Sequence, residues 1–338
     1  MVNNNYSDTS VSQPMKHGSS ESAAEGRGKN TRAKVLDMLR SAAGGISGEA
    51  MAAQIGVSRV AVWKAVKGLC EAGYEIAGNP EGYALVRDKT DSIDEWEFGA
   101  DAPRFRHLES TDSTMNRAFD EALRGAAHGL VVTADRQLTG RGMSGKAWNS
   151  AAGGLFFTIV TRPGLAVWDS HRMVMAAQCA AAEAVRSATG VECSLDWPND
   201  LLVGSGKIGG ILGEGLFSGT TLSFMNLGVG INTGERPDMP GTGAVNGGRK
   251  EILDFFLKNF DRIDPESPGL ASRWNSKCPR IGQSIIGKTV GGARVEGAFL
   301  GIDEAGRARI REDKDTGGYG ERLFSPGSLS IETKGWRR

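Results

Sequence analysis

Leu195-Asp196-Trp197-Pro198-Asn199-Asp200, followed after a short gap by Lys207-Ile208-Gly209-Gly210-Ile211-Leu212, sets the reading of the whole chain. In the first piece proline stiffens the backbone behind a tryptophan and presents Asn199 and Asp200 at a strand end. A neutral amide beside a carboxylate suits contact with a nucleotide or with Mg²⁺. In the second piece a lysine stands beside two glycines at the start of an apolar strand, a placement suited to neutralising charge that develops on a carboxylate–phosphate complex. Either piece alone is also what an ordinary hairpin loop looks like. Around them, extended runs at 130–133, 155–161, 210–212 and 222–231 alternate with helical stretches at 114–123 and 170–187, the latter rich in alanine. Strands interleaved with helices predict a mixed α/β sheet domain.

A third element lies upstream: Thr139-Gly140-Arg141-Gly142-Met143-Ser144-Gly145-Lys146-Ala147-Trp148, between two strands. Closely spaced glycines expose backbone N–H groups to an anion, and Arg141 can pair with a carboxylate or phosphate oxygen. By itself such a loop is more often a flexible turn.

The N-terminal part has a different rhythm. Leu36, Leu39 and Ala43 fall on one face of a helix that ends at Gly44-Gly45, and a short helix after Ser47 carries Met51 and Ile55. Gly56-Val57-Ser58 then supplies a tight turn and a cap for a third helix. In that helix Val62, Val66 and Leu69 share a face, while Ser58, Arg59, Trp63, Lys64 and Lys67 lie away from it as a groove-facing, phosphate-contacting set. Residues 74–76 and 82–86, joined by Asn79-Pro80-Glu81-Gly82, read as a two-stranded wing. Residues 31–87 hold seven basic side chains (Arg32, Lys34, Arg40, Arg59, Lys64, Lys67, Arg87) against five acidic ones (Asp37, Glu49, Glu71, Glu75, Glu81), which favours DNA over a purely structural role.

The 338 residues carry 40 Lys plus Arg and 40 Asp plus Glu, so nucleic-acid contact must come from a local surface and a generic polyanion binder is excluded. Four cysteines, Cys70, Cys179, Cys193 and Cys278, show no C-x-x-C spacing and suggest neither zinc nor disulfides. With no apolar run long enough for a membrane helix and no signal-peptide pattern, we expect a cytoplasmic protein with no membrane partner. Residues 1–30 read as a disordered tail whose His17 is simply solvated, 88–103 as an acidic linker ending near Pro103, and 334–338 as a second tail.

Taken in order, Glu109-Ser110-Thr111-Asp112-Ser113-Thr114, the G-R-G loop, W-P-N-D, K-I-G-G-I-L and Gly228-Val229-Gly230-Ile231-Asn232 resemble the bifunctional biotin protein ligases, over about residues 31–333. The resemblance implies an α+β multidomain fold. It comprises a winged helix-turn-helix (31–87), a central mixed α/β catalytic domain of the biotin/lipoate-ligase type (104–277) and a C-terminal SH3-like β-barrel (278–333). The last is consistent with the short alternating strands and the turn at Asp303-Glu304-Ala305-Gly306.

The implied activity is formation of biotinyl-5'-AMP from ATP and biotin, with transfer of biotin to a lysine of the biotin carboxyl carrier protein of acetyl-CoA carboxylase. It comes with biotin-responsive repression at operator DNA as a homodimer when adenylate-bound. By motif matching Lys207 and Arg141 are the catalytic cations. Ser113, Thr114, Met115, Gln137, Arg141, Gly142, Met143, Lys207 and Gly210 surround biotin. Trp148, Asn199, Asp200 and Asn232 lie near ATP or its Mg²⁺, although Trp148 and Trp197 fit core packing equally well.

Three positions depart from the family. Met143 and Asp196 stand where cations are usual, so we expect biotinyl-adenylate to be held less tightly, at about 1.5 to 3 kcal/mol per lost charge-assisted contact. Met115, where Asn is common, is a milder change. The alternatives are a non-catalytic biotin-sensing repressor and a ligase for a related acid such as lipoate. Intact Lys207, Asn199 and Asp200 count against the first, and Ser113, Thr114 and Gln137 against the second.

Overall fold

The computed structural model describes residues 19–42, 44–234, 243–313 and 318–332. Residues 1–18 with His17, Ala43 and residues 334–338 of the expected tails lie outside the described residues. The chain forms two compact units, one of residues up to Asp88 with 98–103, the other of 89–97 and 104 onward.

The first unit holds helices α1 (Ser19–Ser41), α2 (Gly48–Ile55) and α3 (Arg59–Glu71), then the antiparallel hairpin β1 (Glu75–Asn79) and β2 (Gly82–Arg87). Helix α1 begins inside the expected disordered tail rather than after it. Ser22-Ala23-Ala24-Glu25 contains good helix formers continuous with a packed helix, and a count of Ser, Asn and Gly over thirty residues hides that local run. Ser47 caps α2 by accepting from Ala50 N at 3.1 Å, and Ser58 caps α3 by accepting from Ala61 N at 3.2 Å. Gly56 makes the turn between them at φ +77°, a left-handed conformation that costs a Cβ-bearing residue. Leu36, Met51, Val62 and Leu69 are fully buried, each contributing roughly 1.5 to 3 kcal/mol.

The second unit is built on a seven-stranded sheet. Its elements run β3 (Phe105–Thr111), α4 (Thr114–Leu123), β4 (Val131–Gln137), β5 (Leu155–Thr161), α5 (Ser170–Thr189), β6 (Ser194–Asp196), β7 (Asp200–Val203), β8 (Gly206–Ser218), β9 (Thr221–Ile231), α6 (Arg249–Phe260) and α7 (Leu270–Asn275). Strand order is β3-β4-β5-β9-β8-β7-β6, with β3 and β4 parallel and every other pair antiparallel. Every residue of β5 is buried, as befits a central strand covered on both faces. Alanine-rich α5 lies against the sheet, and α6 packs on it through Phe256, whose ring meets Phe157 edge-on at 4.9 Å.

The chain ends in five antiparallel strands, β10 (Ser284–Thr289), β11 (Arg294–Ile302), β12 (Ala308–Asp313), β13 (Tyr319–Phe324) and β14 (Leu329–Glu332), in the order β13-β12-β11-β10-β14. Edge strands β13 and β14 do not pair, so among the described residues this is an open sheet and not the closed barrel expected.

The acidic stretch read as a linker is not free chain. Ser92, Ile93 and Asp94 are buried; Asp94 takes Ser92 Oγ at 2.6 Å and Lys89 Nζ at 2.8 Å and lies 3.5 Å from His107 Nε2, while Asp91 binds Arg249 Nε at 3.1 Å. The charges of Asp91 and Asp94 are answered by Lys89, His107 and Arg249 of the second unit, which composition alone cannot reveal. Among the described residues no helix is long and apolar enough to cross a membrane.

Candidate functional site

The start of α4, the loop after β4, the turn between β6 and β7 and the β8–β9 pair converge on one cavity of about 540 Å³, to which Arg280 and residues around β14 also contribute. The sequence-predicted residues Ser113, Thr114, Met115, Gln137, Arg141, Gly142, Met143, Trp148, Asn199, Asp200, Lys207 and Gly210 all line it. Asn232 does not. It is fully buried at the end of β9 and donates Nδ2 to Gly243 O at 3.2 Å, while its Oδ1 has no partner among the described residues.

One end of the cavity is a hydrogen-bonded relay. Ser113 caps α4 by accepting from Met115 N at 3.2 Å. Gln137 Oε1 accepts from Thr114 N at 2.8 Å and Thr114 Oγ1 at 3.1 Å, and its Nε2 donates to Ser150 Oγ at 2.8 Å. Thr158 Oγ1 donates to Thr114 Oγ1 at 2.9 Å. The relay fixes donor and acceptor directions before a ligand arrives. The preceding Asp112 is held well below the usual carboxylate range, first by Asn116 Nδ2 at 2.8 Å and also by Arg117, and its carbonyl accepts from Thr139 N at 2.9 Å, tying the glycine loop to the start of α4.

The other end gathers charge. Lys207 Nζ lies 2.6 Å from Asp200 Oδ1 and 5.3 Å from the centre of the Trp148 ring. Burial raises the Asp200 carboxyl pKa, against the pull of Lys207. Trp148 fits because residue 230 is glycine: a Cβ there would lie 2.6 Å from the indole Nε1. In the glycine loop Gly142 N donates to Lys146 O at 2.7 Å and Trp148 N to Gly140 O at 2.8 Å, giving a closed hairpin. Arg141 reaches Asn116 Oδ1 at 2.8 Å and Glu214 Oε2 at 3.2 Å.

Three features were not found from the sequence. Asp196 is no isolated departure: Arg280 Nε donates to its Oδ1 at 2.7 Å and Nη2 binds Oδ2, and both residues line the cavity. The partners are 84 positions apart, with no local signal. Lys146 also lines the cavity and stood in the quoted loop, where its charge could have been noticed. Helix α5 supports the β6–β7 turn from behind: Gln178 Nε2 donates to the carbonyls of Asp196 (3.4 Å) and Asp200 (3.3 Å), and His171, its pKa lowered to about 4 by burial, bonds the Pro198 backbone. Trp197 belongs to this support, being 4 % exposed with Nε1 on Gly306 O at 3.0 Å.

No cluster of three or more His, Cys, Asp or Glu among the described residues could cage a metal. Cys179, Cys193 and Cys278 are free thiols whose pKa burial pushes up to about 12, so they remain protonated and inert. In the first unit, considered alone, Ser58, Arg59, Trp63, Lys64 and Lys67 lie on the exposed side of α3. Trp63 is 52 % exposed and Lys67 Nζ sits 5.8 Å from its ring centre.

Comparison with known proteins is consistent with this geometry. Residues 107–232 match the biotin/lipoate A/B protein ligase family, and residues 31–84 match an HTH domain. The bifunctional ligase/repressor BirA of Bacillus subtilis is 30% identical over 305 residues, 82% of this chain and 93% of that protein. The biotin acetyl-CoA-carboxylase ligase of Paracoccus denitrificans is 30% identical over 227 residues, 60% and 92% of the two chains. A biotin protein ligase from Aquifex aeolicus, solved in complex with biotin and ATP, shares the fold with a TM-score of 0.55 at 23% identity, over 68% of this chain and 99% of that one.

Proposed function

Since the chain belongs to the bifunctional biotin protein ligase family, alongside the BirA ligase/repressors, we propose that it activates biotin with ATP, transfers it to a lysine of the biotin carboxyl carrier protein of acetyl-CoA carboxylase, and represses transcription through its helix-turn-helix. The observation that carries this is one cavity with a neutral hydrogen-bonding relay at one end and Lys207, Lys146, Arg141 and Arg280 along its wall. Two anions, a carboxylate and a triphosphate, repel; the protein must hold them together and neutralise the charge that builds at phosphorus.

In this reading the relay of Ser113, Thr114 and Gln137 takes the uncharged ring of biotin, with Met115 against it. The biotin carboxylate oxygen attacks the α-phosphorus while Lys207 and Arg141 offset the developing charge, the bond to the β-phosphate oxygen breaks, and pyrophosphate leaves with the electron pair. The carrier lysine amine then attacks the acyl carbon, an amide forms and AMP departs. Met143 and Gly142 close the wall over the adenylate, Gly210 lets the backbone approach it, and Trp148 and Asn199 flank the nucleoside. Asp200 fits a Mg²⁺ delivered by the nucleotide, since that ion is commonly held by one or two carboxylates plus phosphates, and would supply further charge neutralisation. Asn232 acts from behind the wall.

The open C-terminal sheet serves as the SH3-like part, supported by its short antiparallel strands. Ser58, Arg59, Trp63, Lys64 and Lys67 face operator DNA, bound by a homodimer when the adenylate is present, in the cytoplasm. The test is transfer of labelled biotin from ATP-containing buffer to a purified carrier domain, beside Lys207→Ala. Labelling by wild type alone supports the ligase. Biotin binding without labelling makes the protein a sensor, and labelling by lipoate in place of biotin changes the acid.

A further inference from the structure

Arg280 comes from the segment before β10 and is nearly removed from solvent, with 9 % of its surface exposed, yet it belongs to the cavity wall. Asp196 holds it by two arms, Nε and Nη2, and Asp196 is itself fixed by Trp197 N at 3.0 Å and by Gln178 through its carbonyl. The third arm, Nη1, has no hydrogen bond to any described residue. Nη1 is not sealed from solvent and Arg280 lines the cavity, so this arm is open to an oxygen of a ligand that enters it.

The location tells which ligand. Asp196 ends β6, the far edge of the sheet, whereas the relay of Thr114 and Gln137 lies at the β3–β4 edge. Arg280 is bonded to Asp196 and feels the charge of Asp200, whose own partner is Lys207, so it stands on the charged side of the cavity. ATP brings several negative charges to that side and the acyl-adenylate a single one. With Nε and one Nη2 hydrogen committed to Asp196, both Nη1 hydrogens and the second Nη2 hydrogen remain, and the Nη1/Nη2 fork is the planar pair with which Arg recognises phosphate.

We propose that Arg280, held by Asp196, is a polyphosphate clamp: its free Nη1 binds the β- and γ-phosphates of ATP and stabilises pyrophosphate as the bond from the α-phosphorus breaks. It contacts neither biotin nor the adenylate phosphate. The nucleotide's identity rests on the ligase reading above, but the role can be measured by binding alone.

The experiment compares wild type, Arg280→Met, Arg280→Lys and the double variant Asp196→Asn/Arg280→Met, in which no buried carboxylate is left unpaired. Calorimetric Kd values are taken for ATP with Mg²⁺, AMP and biotin, with rates of transfer from pre-formed biotinyl-adenylate. Arg280→Met and the double variant should raise the ATP Kd and KM about tenfold or more, while AMP and biotin affinities and the transfer rate stay within twofold; Arg280→Lys should recover part of the loss. Equal losses for ATP and AMP, or a fall in transfer from pre-formed adenylate, assign Arg280 a structural role and overturn the proposal. So does an unchanged ATP Kd in a folded double variant. A wild type that binds ATP more tightly than AMP through Arg280 but never labels a carrier retires the ligase reading and leaves the clamp standing.

Discussion

Replacing Lys207 by Ala removes the cation proposed to neutralise charge at phosphorus, and the structure allows the size of the effect to be worked out. The ammonium is 2.6 Å from Asp200 and its side chain is 40 % exposed, so its charge is partly balanced and partly screened before substrate arrives. A unit charge pair about 4 Å apart at an effective dielectric near 20 interacts by about 4 kcal/mol. Screening and competition from Asp200 reduce the share available at phosphorus to about 3 kcal/mol, within the range seen when one charge-stabilising donor is lost. At about 1.4 kcal/mol per decade, the single-turnover rate of biotinyl-adenylate formation should drop about 150-fold.

Asp200→Asn is the informative companion, because it keeps the cation and frees it. Its rate should fall only about tenfold, through weaker metal holding. The assay is rapid-quench detection of pyrophosphate with biotin and ATP saturating. A Lys207→Ala rate within fivefold of wild type, or an Asp200→Asn defect deeper than that of Lys207→Ala, would refute the assignment of Lys207 as the charge-neutralising group.

Gly209→Ala places a Cβ 2.5 Å from Gly230 O, a backbone atom that cannot swing away, so β8 and β9 must part locally; activity should fall at least tenfold and Tm by several degrees, read by labelling and by thermal melts. His171 has its folded pKa lowered to about 4, so the unfolded chain binds the extra proton first. Stability should be complete above about pH 6.5 and decline as pH falls towards about 4, by roughly 2 kcal/mol once the ring's partial exposure is allowed for, and urea titrations of His171→Asn should show a flatter profile over that window. Lys64→Ala should weaken operator binding about equally for matched and scrambled DNA and lower the salt slope by about one, measured by fluorescence anisotropy at several salt concentrations.

Local signals were legible in the sequence and distant partnerships were not. Ser47, Gly56 and Ser58 announce their caps and turn because each acts on backbone within four positions, and the apolar spacing of Val62, Val66 and Leu69 correctly gives the buried face of α3. The glycine loop, the W-P-N-D turn and the K-I-G-G run stand out by their glycines and proline, whereas Ser113, Thr114, Met115 and Gln137 were reached only through the resemblance to the ligase family. That Asp196 is paired with a cation could not be read locally, because its partner, Arg280, arrives from 84 positions away. The motif gives Asn232 as the end of β9 but not its burial or its bond to Gly243 O, which lies on a separate segment of the chain. The acidic 88–103 stretch looked like a tether because its counter-charges, Lys89 apart, lie on distant elements such as Arg249.

Helix α5 joins interior packing to the reaction geometry. Its buried side is mostly alanine, from Ala176 through Ala184, and a Cβ at Gly213 on the facing strand would come within 2.9 Å of Val174, so helix and sheet touch with no slack. The same helix holds the Asp196–Asp200 turn through His171 and Gln178. Enlarging one of those alanines to valine would lift the helix by a fraction of an ångström and move the turn with it. A shift of that order is enough to misalign a near-attack arrangement while leaving the protein folded. Side-chain volume in the interior of this enzyme is therefore a tolerance on its chemistry, and substitutions on α5 that lower Tm by only a few degrees should show a larger loss in turnover.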